Sequence, residues 1–209
     1  MRARNGPRVR KLQRDLRRAQ ELVDGRELDE ARQLLQAVRA AARELGLRSA
    51  HLYWMLAAAC DYAGEYRMAV ESIEEALSID PLSLPALRSF EIIAGRLRAT
   101  LCDEDRPAEA EDTPALYGLL LEMGETDLPC HLAMARHEAH VGKDAEALRR
   151  VEAALVLFPY SAEAWALKAQ LAEKAGDVEG QQRALVEAAA LSAEPLAPRP
   201  FGMPGPAQG

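Results

Sequence analysis

The stretch GEYRMAVESIEEALSIDP, Gly64 to Pro81, decides how the chain is read, because GKDAEALRRVEAALVLFP, Gly142 to Pro159, repeats its small residues in register. In each, an alanine follows the glycine by five residues (Ala69, Ala147). An alanine–leucine pair comes seven residues later (Ala76-Leu77, Ala154-Leu155), and a proline closes the segment. Helical periodicity asks for apolar residues at such offsets, but not for small ones. An alanine fixed on one helix face marks a close approach, since helix axes come within about 8–10 Å where side chains are short. The glycine suits the positive φ that ends a helix. The proline, lacking an amide donor, forbids another turn.

Outward from this stretch, a 34-residue frame covers Ala50–Ser83. Its first helical pattern puts Tyr53, Leu56, Ala57 and Cys60 on one stripe, and its second does the same with Ala69, Ile73, Ala76 and Leu77. The frame recurs over Leu128–Ser161, where Gly142, Ala147, Val151, Ala154 and Pro159 keep register, and from Ala162 to Glu194, with Trp165, Ala169, Gly176, Asp177 and Ala188. An earlier copy, Leu12–Leu45, aligns Ala31 with Ala69 and Leu35 with Ile73 but has no closing proline. Between the second and fourth copies, Leu84–Asp127 is one frame plus ten residues. LPALRSFEIIAGRLRATL reads as its first helix, with Leu87, Phe90, Ala94 and Leu97 on one side. TPALYGLLLEMG reads as its second, with Thr113 as N-cap and Pro114 at the first helical position. The extra length, CDEDRPAEAED (Cys102–Asp112), carries six acids and one arginine. It reads as a solvated mobile loop or, alternatively, as a latch for the basic N-terminus or a partner site. One hairpin of this kind cannot bury its own face, so repeated hairpins stack.

These residues resemble the tetratricopeptide repeat, over about 135 positions. Cys60 and Glu138 stand where that family usually has tyrosine, Lys168 where it has leucine and Gln181 where it has alanine. The resemblance implies an all-α, right-handed solenoid of about five antiparallel hairpins, near 12–45, 50–83, 84–127, 128–161 and 162–194. A basic arm, 1–11, precedes it, and a Pro/Gly-rich tail, 195–209, is expected to be disordered. In such arrays the first helix of each hairpin lines a groove that receives a partner peptide or helix. The matching positions here are His51, Trp54, Ala58, Asp61 and Tyr62, then Arg88, Ile92 and Arg96, then Leu132, Arg136 and His140. Trp54 reads equally as a groove contact or as packing against the next hairpin. Members that grip a terminal carboxylate use lysines and asparagines on these helices. The only asparagine here is Asn5, outside any repeat, which disfavours that kind of ligand.

Composition agrees with a helical protein: alanine, leucine, glutamate and arginine dominate, and aromatics are 5%. Mean hydropathy is -0.22, and no apolar run approaches the roughly 18 residues of a membrane span. No signal-type apolar segment follows the basic N-terminus, so secretion is not expected. Three cysteines without a CxxC pair fit a reducing cytoplasm. The net charge of -7 is uneven: the first 18 residues carry +7 and the remainder -14. Val9, Leu12, Leu16, Ala19 and Val23 form an apolar stripe there, with Arg8, Arg10, Lys11, Arg14, Arg17 and Arg18 as the basic set. That segment reads as a capping helix with a solvated outer face. Alternatively it attracts nucleic acid, an acidic membrane or an acidic protein. No aromatics interleave its arginines, which counts against single-stranded nucleic acid.

No phosphate-binding glycine loop, nucleophile elbow or HExxH is present. Cys130, His131, His137, Glu138 and His140 come nearest to a metal set. Only His137 and His140 share a helix face, however, and His131 falls in register with the packing residues Tyr53 and Trp165. No catalytic residue, metal or cofactor is therefore expected. The sequence reads as a non-catalytic adaptor or scaffold that binds another protein. A dedicated secretion or assembly chaperone of the type III translocator kind is the alternative, and an enzyme with a groove site is a third class.

Overall fold

The small residues that set the repeat lie where helices meet. In the computed structural model, which describes residues 6–193, Ala31, Ala69 and Ala147 are all fully buried. The described residues form ten α-helices and no strand, so the chain is all-α: α1 (Gly6–Asp24), α2 (Leu28–Glu44), α3 (Ala50–Tyr62), α4 (Tyr66–Ile79), α5 (Leu84–Leu101), α6 (Thr113–Met123), α7 (Leu128–His140), α8 (Asp144–Leu157), α9 (Ala162–Ala175) and α10 (Val178–Ala193). None is long and apolar enough to cross a membrane. Residues 195–209, expected to be disordered, lie outside the described residues.

The helices gather into two compact units. The first holds α1–α6, with the chain up to Arg106 and Glu111–Thr126. The second holds Pro107–Ala110 and everything from Asp127, hence α7–α10. In the first unit α1 pairs with α2, α3 with α4 and α5 with α6, while α3 also meets α1 and α5 meets α3. In the second, α7 pairs with α8 and α9 with α10, and α9 meets α7. Within each unit the odd helices thus touch one another as well as their partners, the contact pattern of stacked hairpins. Buried stripes follow the expected spacing: Tyr53, Leu56, Ala57 and Cys60 on α3, Ala69, Ile73 and Ala76 on α4, Ala147, Val151 and Ala154 on α8. Burial pushes the Cys60 thiol up to about 12, so it stays protonated.

The hairpin turns reuse one hydrogen-bonding device. At Gly64 (φ 75°) the Glu65 amide donates to the Cys60 carbonyl (2.8 Å) and the Gly64 amide to that of Asp61 (3.1 Å). Two orphan carbonyls of α3 are thereby satisfied. The device recurs at Gly142 (φ 81°), with Lys143 donating to Glu138 at 2.8 Å. It also closes α1, where the left-handed residue is Arg26 (φ 62°) and Glu27 donates to Leu22 at 2.9 Å. No glycine announces that turn at the position that needs one.

Three local expectations are corrected. Residues 6–11 of the expected basic arm belong to α1, which starts at Gly6 and buries Leu12, Leu16, Ala19 and Leu22, with Leu22 rather than Val23 at its end, while residues 1–5 lie outside the described residues. On α5 the core row is Ala86, Ile93, Ala94, Leu97 and Leu101, whereas Leu87 is exposed. Helix α5 meets α3, α4 and α6 at once, and they enclose the row through Ala86. Thr113 is the first residue of α6 rather than its cap. Its buried hydroxyl accepts from Arg106 Nε (3.3 Å), and the preceding Asp112 makes no side-chain cap bond. Arg106 also donates to the Thr100 carbonyl (3.4 Å) and pairs with Asp112, so the acidic segment is held at both ends by its one arginine.

Candidate partner-binding face

In the first unit, α1, α3 and α5 stand side by side, and their outward residues make one continuous face. On α3 a ring of contacts fixes the side chains that define it. The Trp54 indole Nε1 donates to Ser89 Oγ on α5 (2.8 Å), and the His51 and Trp54 rings are tilted 43° at 5.2 Å. Trp54 is half-buried: one edge packs on the next hairpin through Ser89 and the rest of the side chain stays open. One turn on from Ser89, Ile92 is 51% exposed. Tyr62 is 67% exposed, and the Arg96 guanidinium lies 4.8 Å from its ring centroid, an arrangement in which the cation meets the negative face of the ring.

Arg96 owes its position to Asp61. Its Nη1 lies 2.8 Å from Asp61 Oδ2, beneath it on α3. Asp61 was expected to face a partner, but it is buried and acts from below as the anchor of Arg96. Its other oxygen, Oδ1, is buried with no hydrogen-bond partner among the described residues. Burial raises the proton affinity of this carboxyl above the ordinary value, and Arg96 opposes the shift. On the even helices α4 and α6 a cluster of carboxylates forms instead. Glu74 there is raised by burial and then by Glu122 and Glu71, with Arg67 opposing.

Arg88 is exposed on α5, and all six basic residues singled out on α1 (Arg8, Arg10, Lys11, Arg14, Arg17, Arg18) are exposed as well. Only Arg18 has an ion-pair partner among the described residues, Glu21 at 3.3 Å. Arg17 and Gln13 meet His51, Leu52 and Met55 around a cavity of about 250 Å³ at the α1–α3 seam. Sequence reasoning left α1 out of the face. The signal was available, since α1 is the first helix of the Leu12–Leu45 copy and Arg17 lies within it.

The three positions expected from α7 belong to the second unit. Leu132 is fully buried in a core with Ala135, Ala147, Val151 and Ala164, which removes it from any contact surface. Arg136 pairs with Glu163, and His140 Nε2 lies 4.0 Å from Glu109 Oε2. The neighbouring metal-type side chains are committed elsewhere. His137 Nδ1 donates to the Ala108 carbonyl (2.9 Å), and buried Glu138 takes two hydrogen bonds from Arg150. Burial, reinforced by the Arg150 charge and opposed by Asp127, holds His131 below its ordinary value.

No protein-family model matches the chain, and no curated protein matches it. Among solved structures, MamA AMB-1 is similar at 15% identity, covering 87% of this chain and 92% of that one with a TM-score of 0.42. MamA 41-end from Desulfovibrio magneticus RS-1 is 13% identical, covering 87% and 95% with a TM-score of 0.36.

Proposed function

We propose that the chain is a non-catalytic adaptor of helical repeats, of the tetratricopeptide kind, which holds a segment of another protein on the α1–α3–α5 face. The observation that supports this reading is Tyr62 and Ile92, large and exposed, flanking Trp54 on helices whose side chains are already held in place by Ser89, Asp61 and Arg96. Aromatic and arginine residues dominate binding energetics, and side chains fixed before binding lose little entropy when a partner arrives. The chemistry of the face is that of contact, with no nucleophile paired to a base.

The double variant Tyr62→Ala, Ile92→Ala should weaken the partner that co-purifies with the chain from its native host by at least tenfold, or about 1.4 kcal/mol. Helical circular dichroism should not change, because both side chains are exposed. A control that removes a charge on the even helices, Arg67→Gln, should leave capture intact. Equal capture by all three proteins would remove the face from the interaction.

A further inference from the structure

We infer that this face takes an extended, internal protein segment with acidic residues at both ends and an aromatic or aliphatic side chain between them; this rests on the protein-binding reading above. The first support is where the unit leaves positive charge unanswered. Across the unit's other helix seams Arg32 is tied to Glu65, Arg39 to Glu71, Arg67 to Glu122 and Arg98 to Glu125, while Arg26, Arg43 and Arg48 near the turns are exposed singly and without an ion-pair partner among the described residues. On this face, Arg10, Arg14 and Arg17 of α1 and Arg88 of α5 are exposed and have no ion-pair partner among the described residues. Arg10, Arg14 and Arg17 fall at i, i+4 and i+7, one stripe of the helix. With Gln13 and Pro7 they line an open depression of about 570 Å³.

The two charged ends are separated by an apolar middle. Between α1 and Arg88 lie Met55 and Trp54 of α3, with Ile92 one turn beyond Arg88 on α5, and the cavity beside Arg17 and His51 offers Leu52 and Met55 to a buried side chain. Two helix-to-helix spacings span roughly 16–20 Å. An extended chain rising about 3.3 Å per residue crosses that distance in about five or six residues. A ligand with acids at that separation pairs with both sets of guanidiniums at once, and its central side chain meets the apolar strip.

A continuous polyanion fits less well. Nucleic acid bound without sequence preference stacks its bases on open aromatic faces. Here one face of Tyr62 is covered by Arg96, the Trp54 ring is engaged by His51, and its N–H is spent on Ser89. Helices α3 and α5 carry neither lysine nor asparagine, so a chain terminus would find there no amide partner beside the arginines that an internal acidic side chain meets equally well.

The test uses the full chain and a fluorescein-labelled peptide, DDGFLGEE, amidated at its C-terminus, read by fluorescence anisotropy at low and moderate salt. The acidic peptide should bind, its basic counterpart KKGFLGKK should not, and a free C-terminus should change nothing. Affinity should fall with added salt. Arg14→Glu with Arg17→Glu, and separately Arg88→Glu, should each weaken it at least tenfold with unchanged helical circular dichroism. Unchanged affinity in both charge-reversal variants, or equal binding of the basic peptide, overturns the inference. So does tighter binding of a twenty-nucleotide single-stranded DNA or heparin that displaces the peptide. A concentration-dependent dimer in sedimentation, lost in the Arg14→Glu, Arg17→Glu variant, would assign the face to a second copy instead. If Tyr62→Ala, Ile92→Ala loses the native partner while the charge reversals keep it, protein binding stands and the acidic ligand falls.

Discussion

Replacing Arg150 by methionine is expected to destabilise the folded chain by about 3–5 kcal/mol. Glu138 on α7 has a side chain only 7% exposed, and both of its oxygens are occupied by Arg150, at 2.8 Å from Nε and 2.6 Å from Nη2. Removing the guanidinium leaves a carboxylate shut away from water with no counter-charge, and that desolvation is the large term. The reverse change should cost less. Arg150 keeps a quarter of its side chain in solvent, so in Glu138→Leu it can still reach water. The combined variant, Glu138→Leu with Arg150→Met, swaps the pair for apolar groups of similar volume and should lie close to the parent. Urea unfolding of the four proteins gives the cycle. A loss below about 1 kcal/mol for Arg150→Met would contradict the burial of the pair. The Arg150 charge also helps to hold His131 below its ordinary value, so the histidine should titrate higher in this variant, an independent readout by NMR.

The second large effect is a matter of space. Ala147 is fully buried in the core that α8 makes with α7 and α9. Leucine at that position adds three carbons where the packing leaves no room, which typically costs about 1–3 kcal/mol in strained rotamers and shifted backbone. The same substitution at Ala153, exposed on the same helix, isolates the cause. Alanine and leucine are both strong helix formers, so Ala153→Leu should stay within about 0.5 kcal/mol of the parent. Thermal unfolding of the two variants decides the matter. Equal midpoints would mean that the recurring alanine does not mark a helix contact.

The alanines made the fold legible because close approach is a demand few residues can meet. Glycine turns were legible for the same reason, as a positive φ excludes most side chains. Arg26 escaped notice because a non-glycine residue occupies that conformation, and nothing in the letters signals it. The site was harder to read. Leu132 and Asp61 occupy positions that in a single helix look outward, yet both are buried by neighbours on other helices. Frame position assigns a face to a residue, but only the packing of the next hairpin settles whether that face meets water. Leu87 departs in the opposite sense: it shares a stripe with Phe90, Ala94 and Leu97 in the sequence, yet the helices around α5 enclose the row through Ala86 and leave Leu87 exposed. The pairing of Asp61 with Arg96 joins residues 35 positions apart, and no local pattern links them.

The turn at Gly64 has one more implication. A Cβ added there would meet nothing within 4 Å, so the position is limited by handedness alone and bulk is irrelevant. Tolerance should therefore rank by backbone preference: asparagine, which accepts the left-handed region, closest to glycine, alanine next, and valine worst of the three. Thermal midpoints in that sequence are expected, although the Cβ common to all three meets nothing within 4 Å.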